Sequence, residues 1–200
     1  MRIAFFGAGL MGAGFVRRML DNGHQVNVWN RDPAKAQALE VDGAHAFADA
    51  ADAIKDVERI HLSLSDDAAV DSVLEPLAGA IPASTFIIDH TTTAPTPTVE
   101  RIARWAARGR VFLHAPVFMA PVNTREGTGI MLISGDPSQV AAVLPELEKM
   151  TSRVINLGPK PGVAAAYKLF GNLTIIGMMG VVGDVVRLAN AVGVAPAEAV

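Results

Sequence analysis

Short runs of apolar residues alternate with amphipathic segments from residue 2 to about residue 157. The first run, 3–6, is followed by a stretch in which Met11, Phe15 and Met19 recur at helical spacing. Strands that alternate with helices in this way are typical of a mostly parallel sheet with helices on both faces. The pattern therefore predicts an α/β fold with a doubly wound, mostly parallel sheet.

The same alternation predicts the position of each element. Strands are predicted over 3–6, 24–29, 44–47, 58–64, 85–89, 111–113, 129–134 and 153–157, and helices over 11–20, 33–41, 48–55, 65–79 and 137–150. A further helix is expected after the Thr/Pro-rich loop 91–97, and a loop containing Ala115 after the strand 111–113. The helix after 91–97 is predicted to face the sheet with Val99, Ile102, Ala103 and Ala106 and to present Arg101, Arg104, Arg108 and Arg110 as a solvated face.

From Pro161 the period changes, and 163–192 is predicted to form one long helix that is apolar almost all round. Such a helix must be buried against another domain or another chain. Its uncharged stretch, 169–183, is shorter than a membrane span and is interpreted as a buried helix. We expect one α/β domain over 1–160, followed over 161–200 by a long interdomain helix and the start of a further helical domain.

A Gly-x-Gly-x-x-Gly sequence follows the first predicted strand directly and opens the first predicted helix. It comprises Gly7, Gly9 and Gly12, with Leu10 and Met11 between the second and third glycines. In this context the first glycine permits a tight turn, the second lets the backbone approach a pyrophosphate, and the third lets the helix pack on the strand. The helix N-terminus then binds the anion. The sequence thus predicts a dinucleotide site.

The end of the second predicted strand indicates which dinucleotide is preferred. An acidic residue about 20 residues after the glycines is typical of NAD sites, but Asn30 is neutral and Arg31 follows it. A guanidinium can pair with a 2′-phosphate, so NADP is favoured over NAD. Asp32, which precedes Pro33, is interpreted as a helix cap. The alternative for Arg31 is a solvated surface charge.

Composition excludes several classes of protein. The net charge of −3 gives no reason to expect a nucleic acid or an anionic membrane as a partner, and the absence of cysteine excludes disulfides and thiolate chemistry. The apolar start resembles a signal peptide, but the glycine turn fits a folded strand and helix better, so a cytoplasmic protein is expected.

No metal site is expected, because His90 and His114 lack a carboxylate cluster and are interpreted as scaffold. Asp89 is expected to order the loop after its strand.

Lys168 and Asn172 are the residues of the long helix best suited to chemistry. They lie four residues apart, hence on one face of the helix. Desolvation can lower the pKa of a lysine towards a range useful for proton transfer. Taken alone, a lysine on a helix is more often solvated than catalytic.

Five motifs occur in a fixed order: 7–12, 30–33, 89–95, 115–117 and Gly162-x5-Lys168-x3-Asn172. Together they resemble the β-hydroxyacid dehydrogenase family. The resemblance implies a Rossmann-like N-terminal domain, a long interdomain helix and an all-helical C-terminal domain. It also implies that Leu64 and Thr92 contact the cofactor, that Lys168 is the catalytic acid/base, and that Asn172 assists at the substrate.

The chain departs from the family in the substrate loop, which usually reads Asp-Ala-Pro-Val-Ser-Gly-Gly. Here Pro116 and Val117 are retained, whereas Phe118 and Met119 introduce bulk. The four residues are expected to line the substrate site, with a bulkier or less carboxylate-centred substrate. Most of the helical domain is not included in the 200 residues, and a truncated protein or a fragment is expected.

Three functional hypotheses follow. The leading one is an NADP-dependent oxidoreductase that interconverts a small hydroxy acid and its aldehyde or keto acid. Imine reductases are similar to the family but generally lack a lysine at the position of Lys168. The third is a catalytically weak nucleotide-binding or assembly module. A homodimer through the long helix is expected in each case.

Overall fold

The computed structural model describes all 200 residues. The strands are β1 (Arg2–Phe6), β2 (Gln25–Trp29), β3 (His45–Phe47), β4 (Arg59–Leu62), β5 (Phe86–Asp89), β6 (Val111–His114), β7 (Val117–Phe118), β8 (Ile130–Ile133) and β9 (Arg153–Asn156). The helices are α1 (Leu10–Asp21), α2 (Pro33–Gln37), α3 (Ala50–Ala53), α4 (Asp67–Leu74), α5 (Pro95–Ala107), α6 (Pro121–Glu126), α7 (Pro137–Leu147), α8 (Val163–Val192) and α9 (Pro196–Ala199). Short 3₁₀ turns follow α2, α4 and α7.

Six parallel strands form the main sheet in the order β3-β2-β1-β4-β5-β6. The order reverses between β1 and β4, and such a switch point opens a crevice at the carboxyl edge of the sheet. Alternate residues of each strand face opposite sides. Phe5 and Ile88 therefore enter one core and Phe6 and Ile87 the other. The predicted fold class, a Rossmann-like doubly wound sheet followed by a long helix, is confirmed.

The remaining strands form a second sheet, which the sequence did not predict. β8 pairs with β7 antiparallel and with β9 parallel. Ala115 still donates its N–H to Asp89 O at 2.7 Å, but Pro116 has no N–H with which to continue this pairing. Instead the carbonyl of Pro116 accepts from Leu132 N at 2.8 Å. The segment expected to be a loop thus contributes β7 to a new sheet and then forms α6.

Helix α5 begins earlier than predicted and faces the sheet with other residues. Pro95 lies at its first position, where an N–H would have no partner within the helix, so the proline costs no hydrogen bond. The buried residues are Thr98, Arg101 and Trp105, whereas Val99 is 40% exposed. The interpretation of all four arginines as a solvated face is therefore wrong for Arg101.

Burial of Arg101 is possible because carboxylates of α4 pair with it. Its Nε and Nη2 donate to the two carboxylate oxygens of Asp71 at 2.7 and 3.1 Å, and Nη2 also donates to Asp67 Oδ1 at 3.0 Å. A buried charge is tolerated only when it is paired and hydrogen-bonded in this way. The bidentate pair therefore fixes α5 against α4.

Helix α8 has the bounds that the sequence predicts, but most of it is not buried by the rest of the chain. Ala164 and Ala165 are fully buried near its start, whereas Leu173 and Met179 are 73% and 70% exposed. Most of the helix is therefore exposed within this chain, and its burial against another domain or another chain stays a prediction. The helix has a mean hydropathy of 1.7 over its most apolar window, and by length and composition alone it could cross a membrane.

Candidate cofactor and active site

The glycine turn between β1 and α1 is held by close backbone contacts. Gly7 has φ of +99°, and a Cβ there would lie 2.2 Å from Ser63 O. A Cβ at Gly12 would lie 1.7 Å from Gly7 O, whereas one at Gly9 would meet nothing within 4 Å. Gly7 and Gly12 are therefore required by packing of the turn, and Gly9 leaves the approach to it open.

The N-terminus of α1 is suited to bind an anion. Gly9 caps the helix without a side-chain hydrogen bond, and its first turn contains no acidic residue. The first N–H groups of a helix have no partner within it, and its dipole favours negative charge at that end. Together with the open space at Gly9, this end fits the pyrophosphate of a dinucleotide.

A cleft of about 600 Å³ opens at this turn. It is lined by eight of the predicted cofactor residues, namely Gly7, Gly9, Leu10, Met11, Gly12, Asn30, Arg31 and Leu64. The ninth, Thr92, does not line it and is exposed in the β5–α5 loop. Its neighbour Thr91 is connected to the cleft, because Thr91 Oγ1 accepts from Leu64 N at 3.0 Å.

Arg31 and Lys35 give the β2 end of the cleft positive charge. Both line the cleft and are exposed, and neither forms an ion pair. Asp32, also in the cleft, accepts from Ala34 N at 3.2 Å and so caps α2 as predicted. Sequence reasoning missed Lys35. Its signal was the Asp32-Pro33 cap, which places Lys35 in the first turn of α2 beside Arg31.

Lys168 lies on α8 beside the predicted substrate loop. Its Nζ lies 4.2 Å from the centre of the Phe118 ring. Partial burial lowers the pKa of Lys168 from its ordinary value, and no carboxylate lies within ion-pairing distance to oppose this shift. Asn172 follows one turn later and is half-buried. The structure therefore brings Lys168 and the ring of Phe118 together, with the amide of Asn172 one turn along α8.

The four predicted substrate residues divide into two pairs. Pro116 is buried, and Val117 is 6% exposed and packs in the core. Phe118 and Met119 are half-buried, and Met119 packs close to Gly129. Only the second pair is therefore partly exposed, and of the two Phe118 lies against α8.

The polar residues at the ends of β5 and β6 form a buried scaffold. His90 contacts Ala115 O through Nδ1 at 2.8 Å, and His114 contacts Thr91 O through Nε2 at 2.8 Å. Asp89 Oδ1 accepts from Thr91 N at 2.9 Å, which orders the loop as predicted. Burial lowers the pKa of each of these histidines to about 4 and raises the pKa of Asp89 to about 6.

Residues 2–158 match the family described as the NAD binding domain of 6-phosphogluconate dehydrogenase. The chain belongs to this family. It carries the cofactor-binding fold of the NAD(P)-dependent oxidoreductases of the β-hydroxyacid dehydrogenase type, and the resemblance found in the sequence is confirmed.

Relatives of known name support this assignment. The 3-sulfolactaldehyde reductase of Escherichia coli is 31% identical over 192 residues, which cover 94% of this chain and 64% of that protein. The structure of Mycobacterium tuberculosis 3-hydroxyisobutyrate dehydrogenase with L-serine matches with a TM-score of 0.90 and 25% identity, over 97% of this chain and 66% of that one. A Streptomyces aurantiacus imine reductase matches with a TM-score of 0.91 and 27% identity, over 98% and 69%. The chain thus spans less than two thirds of the length of the Escherichia coli 3-sulfolactaldehyde reductase.

Proposed function

We propose that the protein is an NADP-dependent oxidoreductase that interconverts a small hydroxy acid and its aldehyde or keto acid. The observation that carries this proposal is the combination of a glycine-lined cleft at the sheet's switch point with a half-buried lysine that has no counter-ion. Family membership supports dinucleotide chemistry. The substrate class follows the names of the reductase and dehydrogenase relatives.

The residues of the cleft would hold the cofactor. Gly9 and the uncapped first turn of α1 receive the pyrophosphate, and Arg31 and Lys35 pair with the 2′-phosphate. Leu64 and Thr92 contact the cofactor farther along the carboxyl edge. NADPH supplies the hydride when it is bound, and the chain's own part is to bind, orient and handle the proton.

Lys168 would act as the acid/base for the substrate oxygen. Its lowered pKa brings the ammonium closer to the range in which a proton is given up and recovered. Asn172, one turn along α8, would orient that oxygen. The substrate would contact Phe118 and Met119, with Pro116 and Val117 supporting them from the core.

Imine reduction is the second candidate, favoured by the match to the Streptomyces aurantiacus enzyme. Lys168 argues against it, because imine reductases generally lack a lysine at this position. A nucleotide-binding or assembly module is the non-enzymatic alternative.

We also propose that the protein is a cytoplasmic homodimer in which the partner covers the exposed face of α8. A domain boundary is proposed near residue 160.

Cofactor binding and turnover test the proposal together. Trp29 lines the cleft, so its fluorescence reports titration with NADPH and NADH. A panel of small aldehydes, keto acids and a cyclic imine is then followed by loss of NADPH absorbance, with Lys168→Ala as the control. Failure to bind either cofactor contradicts the proposal. Binding without any turnover favours the non-enzymatic module, and turnover of the imine alone favours imine reduction.

A further inference from the structure

The ring of Phe118 is seated on the backbone of α8 at Gly171. A Cβ on Gly171 would lie 2.3 Å from Phe118 Cζ and 2.6 Å from Cε1. Real Cβ atoms do not approach that closely, so the ring occupies this position only because residue 171 is glycine. The contact joins the end of β7 to α8 between Lys168 and Asn172.

The same ring forms one side of the space around the lysine. Lys168 Nζ lies 4.2 Å from the ring centre, within the range of a cation–π contact. Lys168 has no hydrogen-bond acceptor or carboxylate as a partner in the structure. The substrate oxygen must therefore approach an ammonium whose surroundings are set by an aromatic side chain.

The side chains of the segment 116–121 offer nothing to a carboxylate. None of its side chains is a hydrogen-bond donor, and Pro116 and Pro121 lack an N–H. The N–H of Ala120 is already bound to Asn123 Oδ1 at 2.7 Å. The next charged residue along α8, Asp184, is negative and lies about 24 Å along the axis. An anionic group beside the reacting carbon would compete for Lys168 itself.

We propose that Phe118 is the specificity-determining residue of the substrate site. It selects carbonyl compounds with an aromatic or branched apolar group attached within two carbons of the reacting carbon over those with a carboxylate or sulfonate attached there. This inference rests on the proposed carbonyl reduction with Lys168 as acid/base, and it replaces the carboxylate-bearing substrate of that proposal by an apolar one. The ring supplies apolar contact and no hydrogen bond, so a charged group that loses its water against the ring is penalised.

Two aldehydes of similar size test the selectivity. Phenylacetaldehyde carries a ring, and succinic semialdehyde carries a carboxylate. In the wild-type chain kcat/KM with NADPH is expected to favour phenylacetaldehyde by about tenfold or more. Phe118→Ser should abolish or reverse this ratio, whereas Phe118→Leu should retain much of it. Val122→Ser, which removes an exposed apolar side chain from α6, should leave the ratio unchanged.

Gly171→Ala tests whether the selectivity depends on the position of the Phe118 ring against Gly171. In the wild-type chain the new methyl group displaces the ring and should lower the ratio. In the Phe118→Ser chain no ring remains to be displaced, so Gly171→Ala should add little. Equal effects of Gly171→Ala in both backgrounds would overturn the role assigned to the contact.

A binding measurement separates this inference from the proposed reaction. Unreactive phenylacetamide and succinamate are compared on the NADPH-loaded chain by saturation-transfer NMR. Preferential binding of phenylacetamide that is lost in Phe118→Ser supports the inference even if no aldehyde is reduced, in which case only the proposed reaction fails. Faster reduction of succinic semialdehyde leaves the reaction intact and overturns the inference. Binding of neither compound, or preference for succinamate, also overturns it.

Discussion

The side-chain oxygen of Asn30 accepts a hydrogen bond from the backbone N–H of Ala8 at 2.9 Å. This bond ties the end of β2 to the glycine turn that follows β1. The amide nitrogen of Asn30 donates to Asp32 O at 2.8 Å and so also fixes the start of α2. Asn30 therefore holds the two turns that border the cleft together. The sequence indicated only that this position carries no negative charge.

Substitution of Asn30 by aspartate or alanine should separate its two roles. Both variants lose the bond to Asp32 O, but Asn30→Asp keeps an acceptor for Ala8 N and adds a negative charge. We expect Asn30→Asp to weaken NADPH more than NADH, because the charge faces the 2′-phosphate. Asn30→Ala should weaken both cofactors to a similar extent, by about 1–2 kcal/mol. Fluorescence titration of Trp29 measures each affinity, and equal losses in Asn30→Asp would contradict the charge argument.

Arg31 and Lys35 should both discriminate between the two cofactors. Loss of a charge-assisted hydrogen bond costs about 1.5–3 kcal/mol, so Arg31→Ala is expected to weaken NADPH by about tenfold or more. Lys35→Ala should have a smaller effect, because an ammonium does not form the bidentate pair that a guanidinium does. NADH affinity should hardly change in either variant. Similar losses for both cofactors, measured by calorimetry, would exclude a 2′-phosphate role.

The features that the sequence predicted correctly are local ones. The glycine turn follows from residues 7–12, because the positive φ of Gly7 and the close approach of Gly12 to Gly7 O arise within one strand–turn–helix unit. Helix α8 was bounded correctly because an unbroken apolar pattern runs between Gly162 and Gly193, both of which have positive φ. Such signals do not depend on distant parts of the chain.

The features that could not be predicted from the sequence depend on contacts between distant segments. Arg101 has the spacing of a surface arginine, and only the approach of Asp67 and Asp71 on α4 makes its burial possible. The second sheet forms because Pro116 interrupts pairing with β5 and offers its carbonyl to Leu132. Likewise, the seat of Phe118 on Gly171 joins positions more than 50 residues apart. The periodicity of one segment does not indicate which distant segment it contacts.

Lys168→Ala should abolish turnover and leave cofactor binding intact. General acid–base groups contribute about 10²–10⁴-fold, and Lys168 does not line the cofactor cleft. Asn172→Ala should lower the rate less, since the amide orients the substrate without transferring a proton. Because burial lowers the pKa of Lys168, the alkaline limb of the kcat profile should lie below the ordinary lysine range. Substantial activity in Lys168→Ala would rule out the assignment.

Acidification should destabilise the fold through its buried histidines. Burial lowers the pKa of His90 and His114 from 6.5 to about 4, and that of His61 well below 6.5. The unfolded chain therefore binds more protons below about pH 6.5, and stability falls as the pH falls towards 4. Asp89 acts in the opposite direction, because its pKa is raised to about 6 and the folded chain takes up its proton first. Since the histidines outnumber it, the net loss should exceed about 1 kcal/mol per pH unit.

Asp89→Asn is the matched variant for this prediction. The amide oxygen can still accept from Thr91 N, but the offsetting proton uptake is removed. Stability should therefore fall more steeply with acidification in Asp89→Asn than in the wild-type chain. Urea unfolding at pH 6.5 and at pH 4.5 measures both slopes. Equal slopes would show that Asp89 does not titrate in this window.

The exposed apolar face of α8 should drive self-association. Its exposed side chains include Phe170, Leu173, Ile176, Met179 and Leu188. Monomeric soluble proteins rarely expose so large an apolar patch, and burial of apolar surface stabilises by about 25 cal/mol per Å². Gly177 and Gly180 have no neighbour within 4 Å of an added Cβ, so a second α8 could approach closely there. Light scattering at micromolar concentration should therefore give the mass of a dimer.

Charge placed on this face should separate the dimer into monomers. Met179→Glu buries an unpaired carboxylate in the proposed interface, which costs far more than the apolar contact it replaces. Val41→Glu is the matched control, because Val41 is 88% exposed and lies in the 3₁₀ turn that follows α2, outside α8. We expect a monomer for Met179→Glu and an unchanged dimer for Val41→Glu. A stable wild-type monomer would contradict self-association through α8. Flotation of the wild-type chain with lipid vesicles in place of dimerisation would show that a bilayer covers this helix.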